Sequence, residues 1–170
     1  MTEELKDHTI YFRLVKGTNL VDRIIRWYTR SDYSHAEFSW PLNEITPSHW
    51  LGARFKGGVQ ARPYNYVDSK FSMYSVAVTK EQYDAANDFL IKQIGKKYDW
   101  KAIVNMGVFK HDIHVNSTVK WFCSELLFYL FRVIDVILLN MPLSEKDRIT
   151  PRDIGISTVP TCVSENVSLE

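Results

Sequence analysis

From Trp121 to Leu139 the chain reads Trp-Phe-Cys-Ser-Glu and then almost nothing but apolar residues, broken only by Tyr129, Arg132 and Asp135. A segment this apolar has to be buried, and its length reads as a helix. From Leu126 onward it runs for about 14 residues, too short and, with Arg132 and Asp135, too charged to span a bilayer. The rest of the chain must therefore wrap around it. Cys123 falls in the first turn of that helix. There the free N–H groups and the helix dipole favour a thiolate, so the position suits a nucleophile. The plain alternative is a small buried hydrophobe, the commonest fate of a free cysteine.

Composition narrows the setting. The 170 residues suffice for one domain with a core, and 45% are hydrophobic and 14% aromatic. With 21 basic and 20 acidic residues the net charge is +1, which gives no reason to expect a nucleic-acid partner. Cys123 and Cys162 form no disulfide framework and no zinc spacing, so neither metal nor cofactor is expected. The polar, acidic start from Met1 to Asp7 is no signal peptide. A cytoplasmic protein without a transmembrane segment is the default expectation; export by another route, or a place in a virion, stays open.

The periodicities predict an α+β domain over residues 1–156, with 157–170 as a loose tail. His8 to Val15 reads as a strand with Ile10, Phe12 and Leu14 on one face. Asn19 is placed to cap a helix from Leu20 to about Arg30. Its core stripe would be Leu20, Val21, Ile24, Ile25 and Tyr28, with Arg23, Arg26 and Arg30 solvated. Tyr33 to Trp40 alternates strictly, with Ala36, Phe38 and Trp40 on one side and His35, Glu37 and Ser39 on a polar other side. Further strands are expected at His49–Phe55, at Val59–Arg62 after a Gly57-Gly58 turn, and at Ser72–Val78. Thr79 and Gln82 form a capping box for a helix to about Ile94, stopped by Gly95. Tyr83, Ala86, Phe89, Leu90 and Ile94 would face the core. Asp99 is placed to cap a short helix through Met106, His111 and His114 fall in a solvated loop, and Thr150-Pro151 opens a last helix.

A cysteine nucleophile needs a base. A histidine on a strand meeting a cysteine on a helix is the papain-like arrangement, and the two need not be close in sequence. His35 is the candidate, far upstream of Cys123, the reverse of papain's order. In order, the segments Asp7–Phe12, Tyr33–Phe38, Gly57–Val59, Gly95–Trp100, Phe122–Leu126 and Ile149–Asp153 resemble the circularly permuted NlpC-like branch of the papain-like superfamily. That branch includes YiiX/YaeF-like hydrolases and the lecithin:retinol acyltransferase group. The resemblance implies a small antiparallel sheet or barrel packed on the helix that begins at Cys123, with Cys123 as nucleophile and His35 as base.

One position departs from the pattern. The family's third polar residue, which orients the imidazole, corresponds to Gly52 here. Glu37 shares a face with His35 and is a candidate for the task; a solvated strand glutamate is the equal alternative. As an orienting group it would raise the histidine's pKa, and Glu37→Gln would slow Cys123 alkylation with little change in Tm. His49 has the wrong parity. Arg54 either holds a substrate carboxylate or is simply solvated, and Tyr98 is the other candidate substrate-binding side chain. Three functions compete. The leading one is amide hydrolysis through an acyl-enzyme, on a peptide or acyl-containing substrate such as a cell-wall fragment. The second is lipid acyl transfer or thioester hydrolysis on the same fold. The third is a binding or structural module with weak chemistry.

Overall fold

The computed structural model describes residues 6–66, 70–99, 120–140 and 149–167. Its centre is a sheet of six strands in the order β4-β3-β2-β1-β5-β8, with every pairing antiparallel. The strands are β1 (His8–Lys16), β2 (His35–Trp40), β3 (His49–Arg54), β4 (Gly58–Pro63), β5 (Lys70–Val78) and β8 (Thr161–Val167). A separate parallel pair joins β6 (Lys97–Tyr98) to β7 (Lys120–Trp121). The helices are α1 (Leu20–Thr29), α2 (Lys80–Gln93), α3 (Cys123–Val133) and α4 (Pro151–Gly155). The chain is thus α+β with a mostly antiparallel sheet.

Local chemistry sets the element ends. Asn19 Oδ1 accepts from Asp22 N at 2.9 Å and starts α1. Thr79 and Gln82 make the reciprocal capping box of α2, and Thr150 with Asp153 makes that of α4, where Pro151 needs no N–H partner. At the β3–β4 turn Gly58 has φ +68, and a Cβ there would sit 2.0 Å from the Lys96 carbonyl oxygen. That close approach lets Val59 N donate to Lys96 O at 2.8 Å and ties β4 to the end of α2.

The core lies between one face of the sheet and helices α2 and α3. Ile10, Phe12 and Leu14 of β1 and Ala36 and Phe38 of β2 meet Leu126, Leu127, Leu130 and Phe131 of α3 and Ala86 and Leu90 of α2. Phe131 packs edge-on against Phe12 at 5.9 Å. Tyr83 and Phe89 flank this core half-buried, whereas Ile94 is exposed.

Several expectations are corrected. The polar side of β2 is not solvated: Glu37 and Ser39 are buried, and a second cluster of Val15, Trp50, Phe71 and Met73, with Tyr11, Tyr64 and Tyr66, forms apart from the main core. The α1 stripe does not pack as a core face: of Leu20, Val21, Ile24 and Ile25, only Ile25 is buried. Helix α3 ends at Val133, because Asp135 adopts φ 56 and turns the chain; Leu138 still reaches the core from irregular backbone. The segment expected as a loose tail contains β8, which pairs with β5. An edge strand is held by its backbone and needs no apolar face, so its side chains carry little sequence signal. The expected helix from Asp99 to Met106 and the loop with His111 and His114 lie outside the described residues, apart from Asp99 itself.

Candidate functional site

Cys123 is the first residue of α3 and is buried. Phe122 at the N-cap offers no side-chain acceptor, so no side chain at that position caps the N–H groups of the first turn. Glu125 turns the other way and accepts from Phe122 N at 3.1 Å. The thiol lies near His35, at the start of β2, close enough to act on the charge of its ring. The His35 ring keeps 15% of its surface exposed, and its Nε2 lies 3.0 Å from Glu37 Oε1. Two residues apart on one strand, the two side chains share a side, as the alternation requires.

Glu37 is held on all sides. Arg13 stands opposite it in the β1–β2 register and donates to Oε2 through Nε at 2.9 Å and Nη2 at 2.6 Å. Tyr66 O–H donates to Oε2 at 3.0 Å, and Arg54 Nη2 pairs with Oε1. Arg13 in turn lies 3.9 Å above the Trp50 ring, and Arg54 lies 4.1 Å above Tyr66. Burial pulls both guanidinium groups down to about 10, still protonated at neutral pH. Two cations facing one carboxylate leave the cluster with a positive excess.

Burial, with that excess added to it, explains a reversal. Glu37 is expected to raise the pKa of His35, yet the pKa is lowered. Burial of the ring is the main cause; the neighbouring Cys123 pushes the other way, and Arg54 and Arg13 add to the lowering. The carboxylate's charge is already taken up by the two arginines. His35 is therefore neutral at pH 7, with a ring nitrogen able to accept a proton.

Gly52 belongs to the same arrangement. A Cβ there would meet Ala36 O at 3.1 Å, Glu37 Cγ at 3.2 Å and Glu37 Oε1 at 3.5 Å. The space a side chain at position 52 would enter is held by the Glu37 side chain from the neighbouring strand. Gly52→Ala is expected to destabilise the fold by about 1–3 kcal/mol, because the backbone oxygen of Ala36 cannot yield. It should also slow Cys123 alkylation by displacing the carboxylate. A denaturant midpoint and alkylation rate equal to the parent's would contradict this.

Beside these groups opens a cleft of about 500 Å³. His35, Arg54, Tyr66 and Tyr98 supply its polar wall, and Val15, Leu20, Val21, Ile25, Ala53 and Phe55 its apolar one. Tyr98 has its phenol pushed well above the usual range, first by burial and then by the acidic groups around it. It stays a neutral donor close to the thiol. Arg54 lines the cleft, but its Nη2 is already engaged; its buried Nε has no partner among the described residues. All five residues singled out in the sequence, Cys123, His35, Glu37, Arg54 and Tyr98, thus lie in one region.

Sequence reasoning missed Arg13, Tyr66 and Trp50. Arg13 had a signal: a single charge inside the apolar strand Ile10–Val15, whose natural partner is the single acid of Tyr33–Trp40. Tyr66 follows β4 and had none. Cys162 is exposed on β8, and its thiol is pushed up by burial and by Glu165.

No family model matches the chain, and no curated protein matches it in sequence. Among solved structures it is similar to metalloprotein yiiX from Escherichia coli O157:H7, with a TM-score of 0.64 and 15% identity, over 95% of this chain and 99% of that one. A likeness at that identity concerns the fold. The donor groups here do not suit a metal ion. Among the described residues no three His, Cys, Asp or Glu side chains are grouped so as to hold a metal ion, and the carboxylate beside His35 faces two guanidinium groups that would repel a cation.

Proposed function

We propose that this chain is a cysteine hydrolase that cleaves an amide of a peptide or related acyl compound through an acyl-enzyme. The observation that carries the reading is His35, bonded to Glu37 on the wall of an open cleft, with Cys123 near it at a helix start. The fold likeness to yiiX, taken with the ordered motifs, supports kinship with the permuted NlpC-like branch. In the reaction, Cys123 Sγ attacks the substrate carbonyl carbon as His35 takes the thiol proton. Because His35 is neutral at rest, it acts as a general base during attack and need not start as half of an ion pair. The first-turn N–H groups of α3 and the Tyr98 phenol would stabilise the oxyanion. The tetrahedral adduct collapses, the C–N bond breaks, and His35 returns its proton to the leaving amine. Water then attacks the thioester, His35 takes a proton from it, and the acid leaves with Cys123 regenerated.

A second reading, thioester hydrolysis or acyl transfer, is favoured by the apolar wall of Val15, Leu20, Val21, Ile25 and Phe55, which suits an acyl chain. The departure at Gly52, which favoured a module without chemistry, weighs less where Glu37 fills that space.

Intact-mass analysis with aryl amide and acyl thioester substrates tests this on a Cys162→Ser background, since Cys162 is the accessible thiol. An acyl adduct on Cys123, released by hydroxylamine and absent in Cys123→Ala, is expected. Free amine indicates amide cleavage, and an acyl group passed to an added alcohol or amine indicates transfer. Neither adduct nor turnover from folded protein would remove the enzyme reading.

A further inference from the structure

We infer that helix α1 is a docking surface for an anionic membrane, holding the mouth of the cleft against the lipid. The helix is amphipathic in the wrong sense for a core element. Leu20, Val21, Ile24 and Trp27 are 71%, 54%, 52% and 80% exposed, and Ile25 is buried. Leu20, Ile24 and Trp27 follow one another at helical spacing, so they form one outward stripe. A tryptophan, a leucine and two β-branched residues turned outward together form a contiguous apolar patch of the kind that marks an interaction site.

The charges beside the stripe select the partner. Arg23 and Arg26, three residues apart, lie on the adjoining side of the helix and Arg30 follows at its C-cap; Arg23 and Arg30 are exposed and Arg26 half-buried. Across the cleft, the β3–β4 turn adds Phe55, 66% exposed, and exposed Lys56. Asp22, half-buried in the first turn and lining the cleft, and exposed Asp32 beyond the helix are the acids nearby in sequence. An apolar stripe with tryptophan, bordered by arginines, is the pattern of a helix lying in the interface of an anionic bilayer. Leu20 belongs both to the stripe and to the cleft wall, with exposed Val21 beside it, so a docked helix would open the cleft onto the lipid. The inference rests on the surface alone and stands or falls apart from the catalytic reading.

Flotation of the full chain with vesicles tests it, comparing phosphatidylcholine containing phosphatidylserine with phosphatidylcholine alone. Binding to the anionic vesicles is expected, weakened by salt. Ile24→Ser with Trp27→Ser should reduce it at least about tenfold, since both lose apolar contact with the acyl region. Arg23→Gln and Arg30→Gln should each reduce it about fivefold. These residues are exposed, so the thermal transition should be unchanged. Failure of the parent chain to float with anionic vesicles, or undiminished binding by the double variant, would overturn the inference. So would a dimer in sedimentation that the double variant dissociates, which would assign the stripe to a second copy of this chain.

Discussion

Glu37→Gln is expected to destabilise the fold by about 3–5 kcal/mol, the usual cost of leaving a buried charge without its partner. The amide keeps the shape and can still accept from Tyr66, but it carries no charge. Arg13 and Arg54 would then face each other as cations around a neutral group, both drawn from water. This reverses the expectation from sequence, where a glutamate on a half-solvated strand should change Tm little. The difference comes from burial: the Glu37 side chain is fully enclosed. Because a destabilised variant also loses reactivity, the stability effect has to be separated from the positioning effect. Arg54→Met removes one of the stranded cations, so adding it to Glu37→Gln should restore part of the lost stability. A denaturant series in which Glu37→Gln stays within about 0.5 kcal/mol of the parent, or in which the two losses simply add, would show that the cluster is not held by this carboxylate.

The contrast between Glu37 and Arg13 shows what the sequence makes legible. Elements with their own periodicity or caps were readable: the Thr79–Gln82 box, the Asn19 cap, and strands β1 to β5 all follow from local chemistry. Cys123 and His35 were singled out together through motif order, since no local pattern links residues so far apart in the chain. Partners chosen by register were not. Arg13 meets Glu37 only because β1 and β2 pair with that alignment, and one step of slippage would turn both away. For the same reason Gly52 read as an absence, while in space it is the clearance for a side chain on the adjacent strand. The exposed stripe of α1 was misread because a 3.6-residue pattern shows that a helix has an apolar face, not what covers it. Strand β8 was missed because an edge strand depends on backbone pairing.

His35→Ala is expected to lower kcat/KM by about 10²–10⁴, the range for loss of a positioned general base, and to slow Cys123 alkylation at neutral pH while Cys162 alkylation is unchanged. The pH dependence gives the sharper test. Burial, aided by Arg54 and Arg13, holds the folded pKa of His35 below its ordinary value of 6.5. The base therefore stays unprotonated below pH 6.5, and the acid limb of the rate profile should lie under that value. The same shift has a consequence for stability. The unfolded chain takes up the His35 proton before the folded chain does, so folding is disfavoured as pH falls from 6.5 through the lowered pKa and unaffected by this group above 6.5. Relative to His35→Ala, the parent should lose stability across that acid window and run parallel to it at higher pH. Glu37 and the arginines remain in both proteins, so their contributions largely cancel in the difference. An acid limb at or above 6.5, or a stability difference flat across the window, would mean that burial and the arginines do not hold the ring's pKa down. Only a folded pKa raised well above 6.5 would make the imidazolium the resting form, acting first as an acid toward the leaving amine.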